Sequence, residues 1–276
     1  VYVENASAPA RKPVTVPGLH AMKAQGRKIV MLTAYDASFA TQLEIADVDV
    51  ALVGDSLGMV VQGQRSTLPV TLDHMVYHTR MVARGLSATL LVADMPFMAD
   101  RTVDYALEAG ARLIGEAGAA MVKIEGAAPH ILESIHALTE RAMPVCAHLG
   151  LTPQSVHKFG GYKVQGREHE AAERVLSEAL AVQQAGASIL VLEGVPTPLG
   201  ERVTKALDIP VIGIGAGPHC DGQVLVIYDM LGITPGKRPK FSKDFLAGRG
   251  SVQEAIAAYV ADVRSGAFPA AEHGYN

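Results

Sequence analysis

Four stretches of this sequence share one design, an apolar run that stops at an acidic residue. Val50-Ala51-Leu52-Val53-Gly54 leads to Asp55 and Ser56, and Leu90-Leu91-Val92-Ala93 leads to Asp94. Ala120-Met121-Val122-Lys123-Ile124 leads to Glu125, and Ile189-Leu190-Val191-Leu192 leads to Glu193. A strand buried on both faces reads as a near-continuous apolar run. Carboxylates at the carboxyl ends of such strands lie where α/β sheets and barrels keep their chemistry. Lys123 and Glu125 are two apart and share one face of their strand, while Val122 and Ile124 take the other. Buried charges are costly unless they are paired or bind a metal. Asp55, Asp94 and Glu125 together suit a hard divalent cation, and an all-oxygen donor set favours Mg²⁺ over zinc. The plainer alternative is a lysine–carboxylate network that only closes the mouth of a barrel. Ser56 could cap the next element or bind substrate through its hydroxyl and backbone amide. Glu193, beside the apolar Leu192, Val195 and Pro196, has the setting of a general base; its alternative is a salt-bridged strand end. His148 also ends a strand and could be structural or functional.

These residues need strands that deliver them to one rim. The spacing predicts strands over 28–35, 48–55, 89–96, 120–125, 144–149, 188–193, 210–215 and 224–229, most of them separated by helical segments. Thr71 is placed to cap a helix over 72–84, and a single helix is expected over 102–118 with Gly110 as its weak point. Eight βα units imply a parallel sheet, and the count favours a closed (β/α)8 TIM barrel over a doubly wound sheet. The chain divides into a loose amino-terminal arm at 1–17 and one barrel domain at 18–276. A short helix over 18–26 would present Leu19 and Met22 as a plug for the barrel floor. The segment 150–167, with Gly160 and Gly161, is too long for an ordinary connection and is expected to act as a lid or binding loop. Gly213-Ile214-Gly215-Ala216-Gly217 follows a late strand, so it reads as a place of close backbone approach rather than a dinucleotide fingerprint.

Composition narrows the function classes. The 276 residues carry a formal charge of −4 and no basic cluster, which argues against nucleic acid and anionic membranes as partners. No apolar run reaches the ~18 residues of a membrane span, and the first 17 residues lack a secretory core. Two distant cysteines, Cys146 and Cys220, read as a reduced pair in a cytoplasmic protein.

Taken together, the segments resemble the ketopantoate hydroxymethyltransferase (3-methyl-2-oxobutanoate hydroxymethyltransferase) family. The resemblance rests on Met31-Leu32-Thr33-Ala34-Tyr35-Asp36, Val53-Gly54-Asp55-Ser56, Ala93-Asp94-Met95-Pro96-Phe97 and Val122-Lys123-Ile124-Glu125-Gly126. His148-Leu149-Gly150-Leu151-Thr152-Pro153-Gln154, Lys158-Phe159-Gly160-Gly161 and Gly213–Gly217 extend it over residues 15–265. The resemblance implies a barrel of the type that handles phosphoenolpyruvate-like and 2-oxo acids. It implies transfer of a one-carbon unit from 5,10-methylenetetrahydrofolate to 3-methyl-2-oxobutanoate, giving 2-dehydropantoate on the route to pantothenate and coenzyme A. It also implies Asp55, Asp94 and Glu125 as the Mg²⁺ site, Ser56, Lys123, Asp55 and Asp94 as oxo-acid contacts, Glu193 as proton acceptor, and a homodecamer built as a pentamer of dimers. The rival readings are a Schiff-base aldolase using Lys123, a magnesium-dependent 2-oxo acid lyase without folate, and a non-catalytic binding or assembly barrel.

Overall fold

Side-chain parity along eight short strands builds the molecule, seen in a computed structural model that describes residues 11–276 except Pro235 and Lys237. Residues 1–10, most of the arm read from the sequence, lie outside the described residues. The strands are β1 (Ile29–Thr33), β2 (Val50–Val53), β3 (Leu90–Asp94), β4 (Met121–Glu125), β5 (Val145–Gly150), β6 (Ile189–Glu193), β7 (Val211–Ile214) and β8 (Gly222–Leu225). They pair in parallel in that order, and β8 returns to β1 with Ile29 opposite Gly222, which closes the (β/α)8 barrel.

Alternate residues of each strand fall into two separate cores. Val30, Leu32, Ala51, Val53, Leu91, Ala93, Val122, Ile124, Leu190 and Leu192 face outward into the layer shared with the helices. Ile29, Met31, Val50, Leu52, Leu90, Val92, Met121, Cys146, Ile189, Val191, Ile212, Ile214 and Val224 fill the barrel itself. The interior set is apolar at the amino-terminal ends of the strands. Continuing the same parity upward on β3 to β6 gives Asp94, Lys123 and Glu125, His148, and Glu193. The barrel is thus a packed core with a polar lid of its own strand ends.

The helix α1 (Val16–Ala24) starts from Thr15, whose side chain accepts from the Gly18 amide, two residues earlier than the sequence suggests. Its Leu19 and Met22 join the interior core at the amino-terminal end, as the plug reading expects. The outer helices are α2 (Ala37–Ile45), then α4 (Leu72–Ala83) after the short α3 (Leu57–Val60), and α5 (Val103–Ala111). They continue with α6 (Pro129–Thr139), α8 (His169–Gln184) after the short α7 (Val156–Phe159), α9 (Thr197–Ala206), and α11 (Val252–Ser265) after the short α10 (Ile227–Met230). On α11 the buried Tyr259 hydroxyl donates to the Met31 and Gln223 carbonyls, pinning the helix across the β1–β8 seam.

Two expected elements differ in extent. The helix expected over 102–118 is α-helical only to Ala111 and then widens into a π-turn over Arg112–Glu116. The eighth strand is Gly222–Leu225, not 224–229. The apolar run Val224–Tyr228 continues from strand into α10, and hydrophobicity alone does not separate a buried strand from a buried helical turn.

Candidate active site

Lys123 and Asp94 are paired residues of neighbouring strands, so their inward side chains meet directly. The Lys123 Nζ lies 2.5 Å from Asp94 Oδ1, with both side chains about one-twentieth exposed. The other Asp94 oxygen accepts from the Asp55 amide at 3.0 Å. A Cβ at Gly54 would crowd Ser56 Oγ, 2.7 Å away, while Asp94 Oδ2 would stay at an ordinary contact distance of 3.6 Å. Ser56 does not cap α3; its hydroxyl is 2.8 Å from the Tyr35 hydroxyl instead. The reading of Ser56 as a cap is therefore replaced by a hydroxyl pair at the carboxyl end of the barrel.

Glu125 and His148 face each other across β4 and β5, and Glu193 stands opposite Gly150 on β6. The His148 ring lies between the two carboxylates, with Nδ1 3.3 Å from Glu125 Oε1 and Nε2 3.2 Å from Glu193 Oε2. These distances are within reach, but the angles are not those of hydrogen bonds. Both His148 nitrogens and Glu125 Oε1 are buried without a hydrogen-bond partner among the described residues. Gln154, from the 150–167 segment, inserts between two of the carboxylates. Its side-chain amide donates to Asp55 Oδ2 and to the Met95 carbonyl, each at 2.9 Å, and its backbone amide donates to Glu125 Oε2 at 3.1 Å.

Burial and crowding of like charge set the electrostatics. Asp55 is pushed up to about 8 by burial and by Asp94 and Glu125, against the pull of Lys123. Glu125 is also pushed up to about 8, by burial first, with Lys123 opposing and Asp94 adding. Burial alone would lower the Lys123 ammonium, but Asp94, Glu125 and Asp55 together hold it above the usual lysine range. Burial and the nearby Lys123 lower the His148 imidazole despite Glu193. One buried cation thus faces three buried carboxylates, an imbalance that a divalent cation would relieve. The donors are hard oxygens, and Glu125 Oε1 is left unpartnered, so the residues fit Mg²⁺. Among the described residues no three His, Cys, Asp or Glu side chains form a ready-made metal cage. Mg²⁺ does not require one, because it is usually held by one or two carboxylates with water and substrate completing the shell.

A cavity of about 580 Å³ opens from Glu125 and Gln154 outward between the loops after β3, β4 and β5 and the start of α8. Thr152, Gln154, Ser155, Lys158 and Phe159 of the 150–167 segment line it, and Tyr162 of the same segment reaches back to Met59 Sδ at 3.4 Å. The sequence-based expectation of a binding loop fits this placement.

A family model described as ketopantoate hydroxymethyltransferase matches residues 13–271. The chain belongs to this family. Among curated ketopantoate hydroxymethyltransferase relatives, the 3-methyl-2-oxobutanoate hydroxymethyltransferase of Xanthomonas axonopodis pv. citri is 62% identical over 265 residues, covering 96% of this chain and 97% of its own. The enzyme of the same name from Alkalilimnicola ehrlichii is 57% identical over 265 residues, 96% of this chain and 95% of its own. Solved structures show the same fold at low identity. Phosphonopyruvate hydrolase aligns with a TM-score of 0.62 at 14% identity over 91% of this chain and 96% of its own. A second structure of that enzyme, in complex with oxalate and Mg++, aligns at 0.59 and 14%, over 90% of this chain and 95% of its own.

In this member of the family the strand-end residues expected from sequence, Asp55, Ser56, Asp94, Lys123, Glu125 and Glu193, all lie at the carboxyl end of the barrel. They form two groups: Lys123, Asp94, Asp55 and Ser56 on one side, and Glu125, His148 and Glu193 on the other. Gln154 joins the groups and was not singled out as a site residue by sequence reasoning; Tyr35 likewise entered only as part of a motif. A glutamine in a glycine- and proline-bearing loop carries no signal by type, and only its position four residues after a strand end could have raised it.

Proposed function

We propose that this chain transfers a hydroxymethyl group from 5,10-methylenetetrahydrofolate to 3-methyl-2-oxobutanoate, giving 2-dehydropantoate, with Mg²⁺ at Asp55, Asp94 and Glu125. The oxo acid comes from the name its relatives carry. The observation that carries the chemistry is the cluster of three buried carboxylates around one charged lysine, with a fourth carboxylate, Glu193, across the His148 ring. Phosphonopyruvate hydrolase, a barrel of the same fold, forms a complex with oxalate and Mg++.

Asp55, Asp94 and Glu125 would hold the metal, which when bound supplies positive charge to the oxygens of the oxo acid. Lys123 adds fixed positive charge where negative charge builds as C3 loses its proton. Its ammonium is held charged, so it is not the free amine that a Schiff-base aldolase needs. Glu193 accepts the C3 proton, with the His148 ring nitrogen 3.2 Å from that carboxylate. The carbanionic C3 then forms the new C–C bond to the one-carbon unit carried by the folate. The Ser56 hydroxyl, oriented by Tyr35, contacts the oxo acid. By family resemblance we further propose a cytoplasmic homodecamer, arranged as a pentamer of dimers, on the route to pantothenate and coenzyme A.

The test is Glu193→Gln. The variant is expected to bind 3-methyl-2-oxobutanoate as the parent does and to lose its catalysed exchange of the C3 proton for deuterium, followed by NMR. Exchange at the parental rate would remove Glu193 from the role of base and make His148 the next residue to vary.

A further inference from the structure

Residues 271–276 cross the carboxyl ends of β6 and β7, the side of the barrel mouth that carries Glu193. Their root is fixed in the core. The His273 ring packs on Phe268 with centroids 5.1 Å apart, and Phe268 is itself buried against Phe245 and Tyr259. Their tip is held from two directions. The Thr197 amide donates to the Tyr275 carbonyl at 2.8 Å, and Lys240 Nζ donates to the Gly274 carbonyl at 2.6 Å. The fit is close. A Cβ at Gly215 would lie 3.1 Å from Cε2 of the Tyr275 ring, and one at Gly274 would lie 2.8 Å from Thr197 Oγ1. Gly274 and Tyr275 lie past the family match, which ends at residue 271.

The same contacts reach the turn that follows Glu193. Glu193 is paired with Ile214 across β6 and β7. Beyond it the Gly194 and Val195 amides donate to the Ile214 and Gly215 carbonyls at 2.9 and 3.2 Å. Tyr275 covers Gly215, to which Val195 is bonded, and accepts from Thr197, so it meets the turn at two points. Gly194 has φ +57°, and a glycine has wide conformational choice, so this turn depends on what is packed around it. We propose that Tyr275 is a positioning residue for Glu193: its ring and its carbonyl hold the 194–197 turn, and with it the carboxylate, in one place. The proposal rests on the reading of Glu193 as the base. Burial pushes the Tyr275 phenol up first and Glu193 adds to it, with Arg167 opposing, as befits a ring that neighbours that carboxylate. A base must come within about 2.6–3.2 Å of the group whose proton it takes, and a misplacement of about 1 Å costs on the order of 100-fold in rate.

The test follows C3 deuterium exchange of 3-methyl-2-oxobutanoate by NMR across a range of oxo-acid concentrations, on the full chain with Mg²⁺. Tyr275→Ala is expected to lower kcat for exchange about 10–100-fold with KM unchanged, the split expected when a base is displaced and substrate binding is not. Tyr275→Phe keeps the ring and the carbonyl and is expected to exchange at the parental rate. Lys240→Met releases the Gly274 carbonyl without touching Tyr275 and is expected to lower kcat in the same direction. Urea unfolding of each variant separates a displaced base from a lost fold, and if Tyr275→Ala does not fold, Lys240→Met decides. A parental kcat in Tyr275→Ala, or in Lys240→Met where the first variant is unfolded, overturns the proposal. So does a raised KM at parental kcat, or a Tyr275→Phe variant as slow as Tyr275→Ala. Glu193→Gln, run alongside, tells the two failures apart. If it exchanges at the parental rate, the reading of the base falls and this proposal with it; if it is inactive while Tyr275→Ala is parental, only the role of Tyr275 falls.

Discussion

Mg²⁺ binding should release protons, and the number released follows from the cluster. Asp55 and Glu125 are each held at about 8 by burial and by neighbouring carboxylates. A metal binds their ionised forms, so any proton they carry must leave. An acid with a pKa near 8 is about nine-tenths protonated at pH 7, half protonated at pH 8 and about one-tenth protonated at pH 9. Release should therefore be largest near neutral pH and fall as pH rises past about 8. Calorimetric titration at pH 7 in two buffers of different ionisation enthalpy counts these protons directly. The same shifts set the stability of the metal-free protein. Both acids hold protons more tightly folded than unfolded, so their contribution is fully present below about pH 4 and is lost as pH rises through about 8. Each contribution is of the order of a few kcal/mol, so the apparent melting temperature should fall by several degrees between pH 6 and 9, and Mg²⁺ should restore it most at the alkaline end. Asp55→Asn should release fewer protons than the parent at pH 7. Metal binding at pH 7 with no proton release would refute the account, because it would mean that the carboxylates are already ionised or that the metal binds elsewhere.

Other consequences are open to direct measurement. Lys123→Met leaves the buried Asp94 without its cation and should cost about 3–5 kcal/mol in urea unfolding; a change within about 0.5 kcal/mol, the scatter of an ordinary surface substitution, would contradict the pairing. Gln154→Ala removes the donor that favours the ionised form of Asp55 and should weaken Mg²⁺ at pH 7 about tenfold while leaving the fold intact; unchanged affinity would make Gln154 a bystander. Gly150 has φ +88°, and a methyl group there would overlap the Glu193 carbonyl, so Gly150→Ala should displace the base and abolish C3 exchange; exchange at the parental rate would show that the strand end gives way without moving Glu193. Light scattering at micromolar concentration should report ten subunits, and a stable monomer would count against the assembly.

The barrel was legible because its strands are apolar on both faces, and the inward parity was legible where charge interrupts the run. On β4 the pattern Met121-Val122-Lys123-Ile124-Glu125 allows only one assignment of faces, and the structure has it. β8 was harder, because its own residues Gly222 and Gln223 carry no hydrophobic signal while the apolar residues beyond them run on into α10. The strand-end acids could be found by type and place. Which of them meet depends on register: the pairing of Asp94 with Lys123 and of Glu125 with His148 follows from strand offsets that the sequence does not encode locally. Gln154 depends on the path of a loop, and a loop's path is set by the packing around it.

The most direct test of the central claim is turnover of 3-methyl-2-oxobutanoate by the purified protein, followed by NMR for 2-dehydropantoate, with methylenetetrahydrofolate and Mg²⁺ each present or omitted. The account predicts product only when both are present, loss of turnover in a chelator, and recovery when Mg²⁺ is returned. Equal product formation without the folate, or without any divalent metal, would contradict it.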